Sequence, residues 1–250
     1  MLPNAASAQK LQPFSTASES AVPPPWRIIG LPGGKTPLSR LEVVPINGSG
    51  ERVLRLASDK SYGNALHELA GTMPGPGSSL RWRWRLEQPL TAADLKRKEG
   101  DDTALKVCLL FDLPLDKLGL VERNILRLAR TISSEKLPAA TLCYVWDHLS
   151  PVGSEFPNAF THRLRFIVLD SGEKRLGQWI THERDIAADF QRAFGHETDV
   201  MPPLIAVVVG ADSDNTQSTS LAYLSDIALT LAPPVISSPA QQPPLQPVKQ

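Results

Sequence analysis

Three groups of residues in this 250-residue sequence have the types and spacing to do chemistry. The first is arginine. Arg81, Arg83 and Arg85 alternate with Leu80, Trp82, Trp84 and Leu86, so a strand would carry the guanidinium groups on one face, about 7 Å apart. Arg163 and Arg165 repeat the spacing later in the chain. Such rows suit carboxylate, sulfate or phosphate groups through paired hydrogen bonds, as an acidic polysaccharide or a lipid head group presents them. The same rows also suit cross-strand ion pairs. The balance of 26 Lys+Arg against 26 Asp+Glu favours that second use.

The second group is acidic. In Asp212-Ser213-Asp214-Asn215-Thr216 the carboxylates at i and i+2 can point to one side and help hold a structural Ca2+, with Asp226, or Asp101 and Asp102, as further ligands. The glycine and distant glutamate of an EF-hand are missing, and an Asx-turn between two strands explains the same letters without an ion. Asp101-Asp102 after Gly100 reads as a paired acid and base, but neighbours on a strand point to opposite faces, which favours a turn or strand end.

The third group is aromatic. Trp146, beside Asp147 and His148, could offer a ring face to a sugar, as could Trp179; both also fit a core. The five histidines show no HxH or HExxH spacing. Gly48-Ser49-Gly50 lacks the outer spacing of a nucleophile elbow, and no helix follows the glycines at 30–34 to make a phosphate loop. Cys108 and Cys143 lie in apolar runs and read as buried thiols, or as a disulfide if the protein is exported and their strands are neighbours.

The elements that must position these groups are mostly strands. Apolar alternation or β-branched content marks 80–86, 105–112, 141–146, 163–169, 177–181, 204–209 and 221–231, with weaker segments at 41–46, 53–58 and 65–69. Segment 204–209 is apolar on both faces and so predicts a central, covered strand. Three helices are predicted at 92–99, 116–133 and 185–194. The second carries Leu118, Val121, Ile125, Leu128 and Ile132 on one stripe. The strands do not alternate regularly with helices. The reading is therefore a mainly β fold, an antiparallel β-sandwich of jelly-roll-like order with about three inserted helices.

Composition sets the limits. The neutral charge balance argues against a general nucleic-acid binder, and no apolar run reaches the length of a membrane span. Prolines crowd the ends, so residues 1–25 and 233–250 read as disordered flanks of one domain, 26–232. The N-terminus has no signal as written. Ala6-Ser7-Ala8 ahead of Gln9 nevertheless has the form of a cleavage site, so the chain reads either as periplasmic with an upstream start or as cytoplasmic.

Several blocks in order resemble a bacterial family catalogued as domain of unknown function 3047. They are RWRWRL, an Ala-Asp-Leu-Lys helix, GDD at 100–102, YVWD at 144–147, LGQWITHERDIAADFQRAFG at 176–195, and VVVGADSDNT at 207–216 with Asp226-Ile227. The resemblance runs from Trp26 to Leu231. It implies an exported or envelope setting and supplies no activity and no catalytic residues. The closing DxDN and Asp-Ile are also similar to carbohydrate-binding jelly rolls. The expected function is a non-catalytic envelope module binding a glycan or another anionic polymer through Arg83, Arg85, Arg163, Arg165, Trp146 and Asp147. A hydrolase or lyase using Asp147 with His148 or His162 is the alternative, and a protein-binding scaffold is a third.

Overall fold

The computed structural model describes residues 10–46, 50–120, 122–124, 126–127 and 138–232. They form a sandwich of two sheets. The seven-stranded sheet runs β1 (Arg27–Ile29), β4 (Tyr62–Thr72), β11 (Leu204–Asp212), β6 (Lys106–Phe111), β7 (Ala140–Asp147), β9 (Leu164–Ser171) and β8 (Glu155–Pro157). The six-stranded sheet runs β10 (Ile180–Asp185), β5 (Ser79–Gln88), β12 (Thr219–Leu224), β3 (Arg52–Asp59) and β2 (Arg40–Pro45), and β13 (Ala228–Thr230) also pairs with β5. These strands pair antiparallel except β7 with β9, which is parallel.

Alternation decides which face each strand buries. Leu80, Trp82, Trp84 and Leu86 of β5 enter the core between the sheets and meet Tyr144 and Trp146 of β7. Polar groups pin the layers together. Asp170 of β9 accepts a 2.7 Å hydrogen bond from Trp84 Nε1, and His182 Nε2 of β10 lies 2.7 Å from the same oxygen. A helix, α1 (Ile186–Phe194), closes one end with Phe190 and Phe194 buried. Its N-cap is Asp185, whose side chain accepts from Ala188 N, as 185–194 predicts.

The expected helix at 92–99 is not formed. Residues 92–99 form turns ending in a single 3-10 turn, Lys98–Gly100. Asp94 Oδ1 takes Lys96 N and Asp94 N bonds to Gly100 O, so local side-chain bonding wins over the helix. A Cβ at Gly100 would stand 2.7 Å from Asp94 N, which makes glycine necessary there. In 116–133 the described residues 120, 122–124 and 126–127 are helical, and Val121, Ile125, Leu128 and Ile132 of the stripe lie outside the described residues; Leu118 is buried. The segment 221–231 is two strands rather than one, because Ser225 breaks off to bond the Arg83 backbone through both its N–H and its Oγ.

Two further expectations change. Residues 10–25 are not a detached flank: Leu11, Phe14 and Ala17 join the core, and Trp26 Nε1 donates to Gln12 O. The cysteines form a disulfide, because Cys108 of β6 and Cys143 of β7 stand directly opposite each other in the antiparallel register. Among the described residues no helix is long and apolar enough to cross a membrane.

Candidate functional site

The two arginine rows lie on different sheets and are engaged. On the outer face of β5, Arg83 pairs with Glu51 and covers the Trp179 ring at 5.3 Å, while Arg85 pairs with Glu87. Arg163 and Arg165 share the side of β9 that carries Ile167 and Leu169, so they turn toward α1 rather than to solvent. Arg163 holds Glu197 with two bonds of 2.6 and 2.8 Å, and Arg165 bonds the same carboxylate and the Ala193 carbonyl near the helix C-terminus. Burial pushes Glu197 up, but the Arg163 hydrogen bond and the charges of Arg163 and Arg165 outweigh it and hold the carboxyl below its ordinary range. Arg83, Arg85, Arg163 and Arg165 are thus each held in an ion pair.

The aromatic candidate is also internal. Trp146 is 3% exposed and donates from Nε1 to Gly172 O at 2.9 Å, so its ring is closed to a ligand. Asp147 is buried and accepts from Ser150 N at 2.6 Å, which makes it a turn holder.

The acidic group is partly assembled. Asp102, Asp212 and Asp214 each bring one oxygen within 4.8 Å of the others. Asp226 is elsewhere, with its carboxylate on Ser15 N and Oγ. Asn215 turns its Nδ2 to the Asp101 carbonyl. The donor set does not suit calcium. Asp102 already accepts from Asn215 N, Thr216 N and Thr216 Oγ1, and Asp212 from Thr103 N, Thr103 Oγ1 and Lys106 Nζ. The lysine ammonium, 2.6 Å from Asp212, stands where a cation would have to compensate the charge.

Sequence reading missed a cavity of about 350 Å3 on the outer face of the seven-stranded sheet. Five neighbouring strands build it with every second residue: Asn64 and Leu66 of β4, Val208 and Asp212 of β11, Lys106, Cys108 and Leu110 of β6, Thr141 and Cys143 of β7, and Leu164 and Phe166 of β9. Its floor over the disulfide is aliphatic. Asn64, Tyr62, Lys106 and Asp212 mark one end, while Thr141, paired with Leu110 and Leu164, and Asn158, whose N–H bonds Leu164 O and whose amide bonds Asp101, add polar groups toward the other. Gly210 makes the Asn64 end possible, since a Cβ there would lie 1.8 Å from Asn64 Oδ1.

Asn64 is 6% exposed and donates from Nδ2 to Tyr62 Oη at 2.7 Å, yet its Oδ1 has no partner. Lys106 Nζ sits 5.0 Å from the Tyr62 ring centre. Burial pulls its pKa down, but Asp212 more than restores it, so the ammonium stays charged. Burial pushes Asp101 up to about 6, opposed by the hydrogen bond from Asn158 and reinforced by the Asp212 charge. Asp101 and Asp212, singled out in the sequence as acids, line this cavity, and a lysine inside an otherwise apolar strand was the further signal for it.

With fold and site in view, the comparisons place the chain. A family model described as Protein of unknown function (DUF3047) matches residues 24–228. The chain belongs to the DUF3047 family. No curated protein matches it in sequence. Among solved structures, this DUF3047 chain is similar to the family 11 carbohydrate-binding module of Lic26A-Cel5E from Clostridium thermocellum (TM-score 0.40, 8% identity, 92% of this chain and 97% of that one). It is also similar to endoglucanase 3 of family GH12 from Trichoderma harzianum (0.42, 9%, 85% and 100%). A third is tailspike protein 4 of bacteriophage CBA120 (0.39, 7%, 83% and 19%), of which the DUF3047 chain spans about a fifth. Likenesses at this level carry no argument about a ligand.

Proposed function

We propose that this DUF3047 protein is a non-catalytic binding module that takes a sugar unit at the polar end of the outer-face cavity. The observation that carries the proposal is the convergence of the Asn64 amide, the Tyr62 hydroxyl, the Lys106 ammonium and the Asp101 carboxyl on one cavity. A sugar hydroxyl both donates and accepts, which matches this set of an amide, a hydroxyl, an ammonium and a carboxyl. The disulfide supports an exported setting, where such bonds persist. The anionic half of the sequence expectation loses its support, since the arginines it relied on already have partners.

The test is a thermal-shift and calorimetric titration with neutral monosaccharides and their methyl glycosides. A ligand at a hundred times its Kd stabilises by about 2.7 kcal/mol, or about 5–10 °C for a domain of this size. The expected result is such a shift with at least one sugar and its loss in Asn64→Ala. No shift across the panel, or an unchanged shift in the variant, would overturn the proposal.

A second reading has one observation behind it: Asp101, raised to about 6, faces the same cavity as the carboxylate of Asp212. That is an acid and a base on one site, as a glycosidase needs. New reducing ends from oligosaccharides, abolished in Asp101→Asn, would replace the binding module with a hydrolase.

A further inference from the structure

We infer that the ligand of this cavity is an amphiphile: a sugar joined to a single aliphatic chain, the sugar at the Asn64 end and the chain along the floor. The inference rests on the reading of the polar end as a sugar site and adds what the other end takes. The floor is built from Leu66, Leu110, Leu164, Phe166 and Val208 over the Cys108–Cys143 disulfide. Further sugar units would need ring faces to stack on and partners for each hydroxyl they bring out of water. The floor has neither. The Tyr62 face is taken by Lys106, and Phe166 packs its ring against Phe156 with centroids 5.7 Å apart. A methylene chain matches the apolar groups of this floor, where Thr141 is the polar side chain.

The buried ion pair at one end gives the ligand a direction, with the chain leading away from Lys106 and Asp212 across Cys108, Cys143 and Phe166. The apolar surface also continues outward beside Asn158. Phe160 is 58% exposed, its N–H is bonded to Asn158 Oδ1, and Lys98 Nζ lies over its ring at 5.4 Å.

The experiment titrates the full chain with methyl, butyl, hexyl and octyl β-glucoside, each below its micelle concentration, with 1-octanol as the headless control. Affinity is expected to tighten about fourfold per methylene, equivalent to about 0.8 kcal/mol each, until the floor is filled. Leu110→Gln and Leu164→Gln, both at half-buried positions, are expected to flatten that series while leaving methyl glucoside binding in place. Asn64→Ala is expected to weaken every glucoside by one common factor and to leave octanol alone. A flat series with methyl glucoside still bound overturns this inference and keeps the sugar site. Octanol binding as tightly as octyl glucoside, with Asn64→Ala indifferent, overturns the sugar site and with it the amphiphile. No binding by any member overturns both.

Discussion

Lys106 Nζ lies 2.6 Å from Asp212 Oδ1, and both side chains are almost fully buried. Lys106 stands opposite Gly210 in the β6–β11 register, so Asp212, two residues along β11, is its diagonal neighbour on the same face. That geometry lets a long side chain reach a carboxylate that Thr103 also holds. The pair costs desolvation to bury, but breaking it costs more.

Asp212→Ala leaves an ammonium buried and unpaired, with an expected loss of about 3–5 kcal/mol. For a domain of this size that lowers Tm by roughly 10 °C or more. The double variant Lys106→Met with Asp212→Leu removes both charges and is expected to lose less than the single one. Thermal unfolding of the two variants checks this, and equal losses would contradict the charge argument.

The disulfide closes a loop of 35 residues. The chain-entropy relation puts its worth at roughly 3–4 kcal/mol. Cys108→Ala with Cys143→Ala is expected to lower Tm by roughly 10 °C under non-reducing conditions, and to leave reductant without further effect. An unchanged Tm would show that packing of the two sheets alone fixes β6 against β7.

Asp101 gives the protein a pH dependence of definite sign. Its carboxyl is raised from 3.8 to about 6 by burial, against the Asn158 bond, so the folded state holds a proton that the unfolded chain has lost between those values. Stability contributed here is complete below pH 4 and falls as pH rises to 6. Asp101→Asn keeps an acceptor for Asn158 and removes the penalty. It is expected to match the wild type below pH 4 and to exceed it by about 1–2 kcal/mol at pH 7, a figure reduced for partial exposure. Paired denaturant titrations across pH 3–8 measure the gap. A constant gap would mean that the carboxyl is not the titrating group.

Where one face of a strand is buried and the other is not, the sequence was easy to read, as in Leu80 to Leu86. Covered strands were harder. Both faces of β6 and β11 are apolar, so nothing local separates Leu109, which enters the core, from Leu110, which lines the cavity. The cavity itself comes from strands whose spatial order, β4-β11-β6-β7-β9, is not their order in the chain. The acids that answer the arginine rows were invisible for a related reason. Glu87, two residues along β5 from Arg85, is the exception; Glu51 precedes a strand and Glu197 follows a helix, so no strand register places them. The oxygen-rich loop was found with its Asp102 neighbour, but the donors that fill it are backbone groups and threonines, which no spacing rule marks.

The two arginine rows should differ sharply when their acids are lost. Glu197 joins Arg163 and Arg165, all three largely buried against α1, whereas Arg83 meets Glu51 with both side chains substantially exposed. Removing a shared buried carboxylate leaves two guanidinium groups side by side, and Glu197→Ala is expected to cost about 3 kcal/mol. Arg83→Ala loses an exposed pair and one ring contact, together about 1 kcal/mol. Because the Glu197 carboxyl is held below its ordinary range, its contribution is present at neutral pH and fades as pH falls through that range. Glu197→Gln should therefore approach the wild type as pH falls. Chemical denaturation at pH 7 and pH 3 tests both halves, and a Glu197→Gln deficit that persists undiminished at pH 3 would assign the cluster's worth to packing instead of charge.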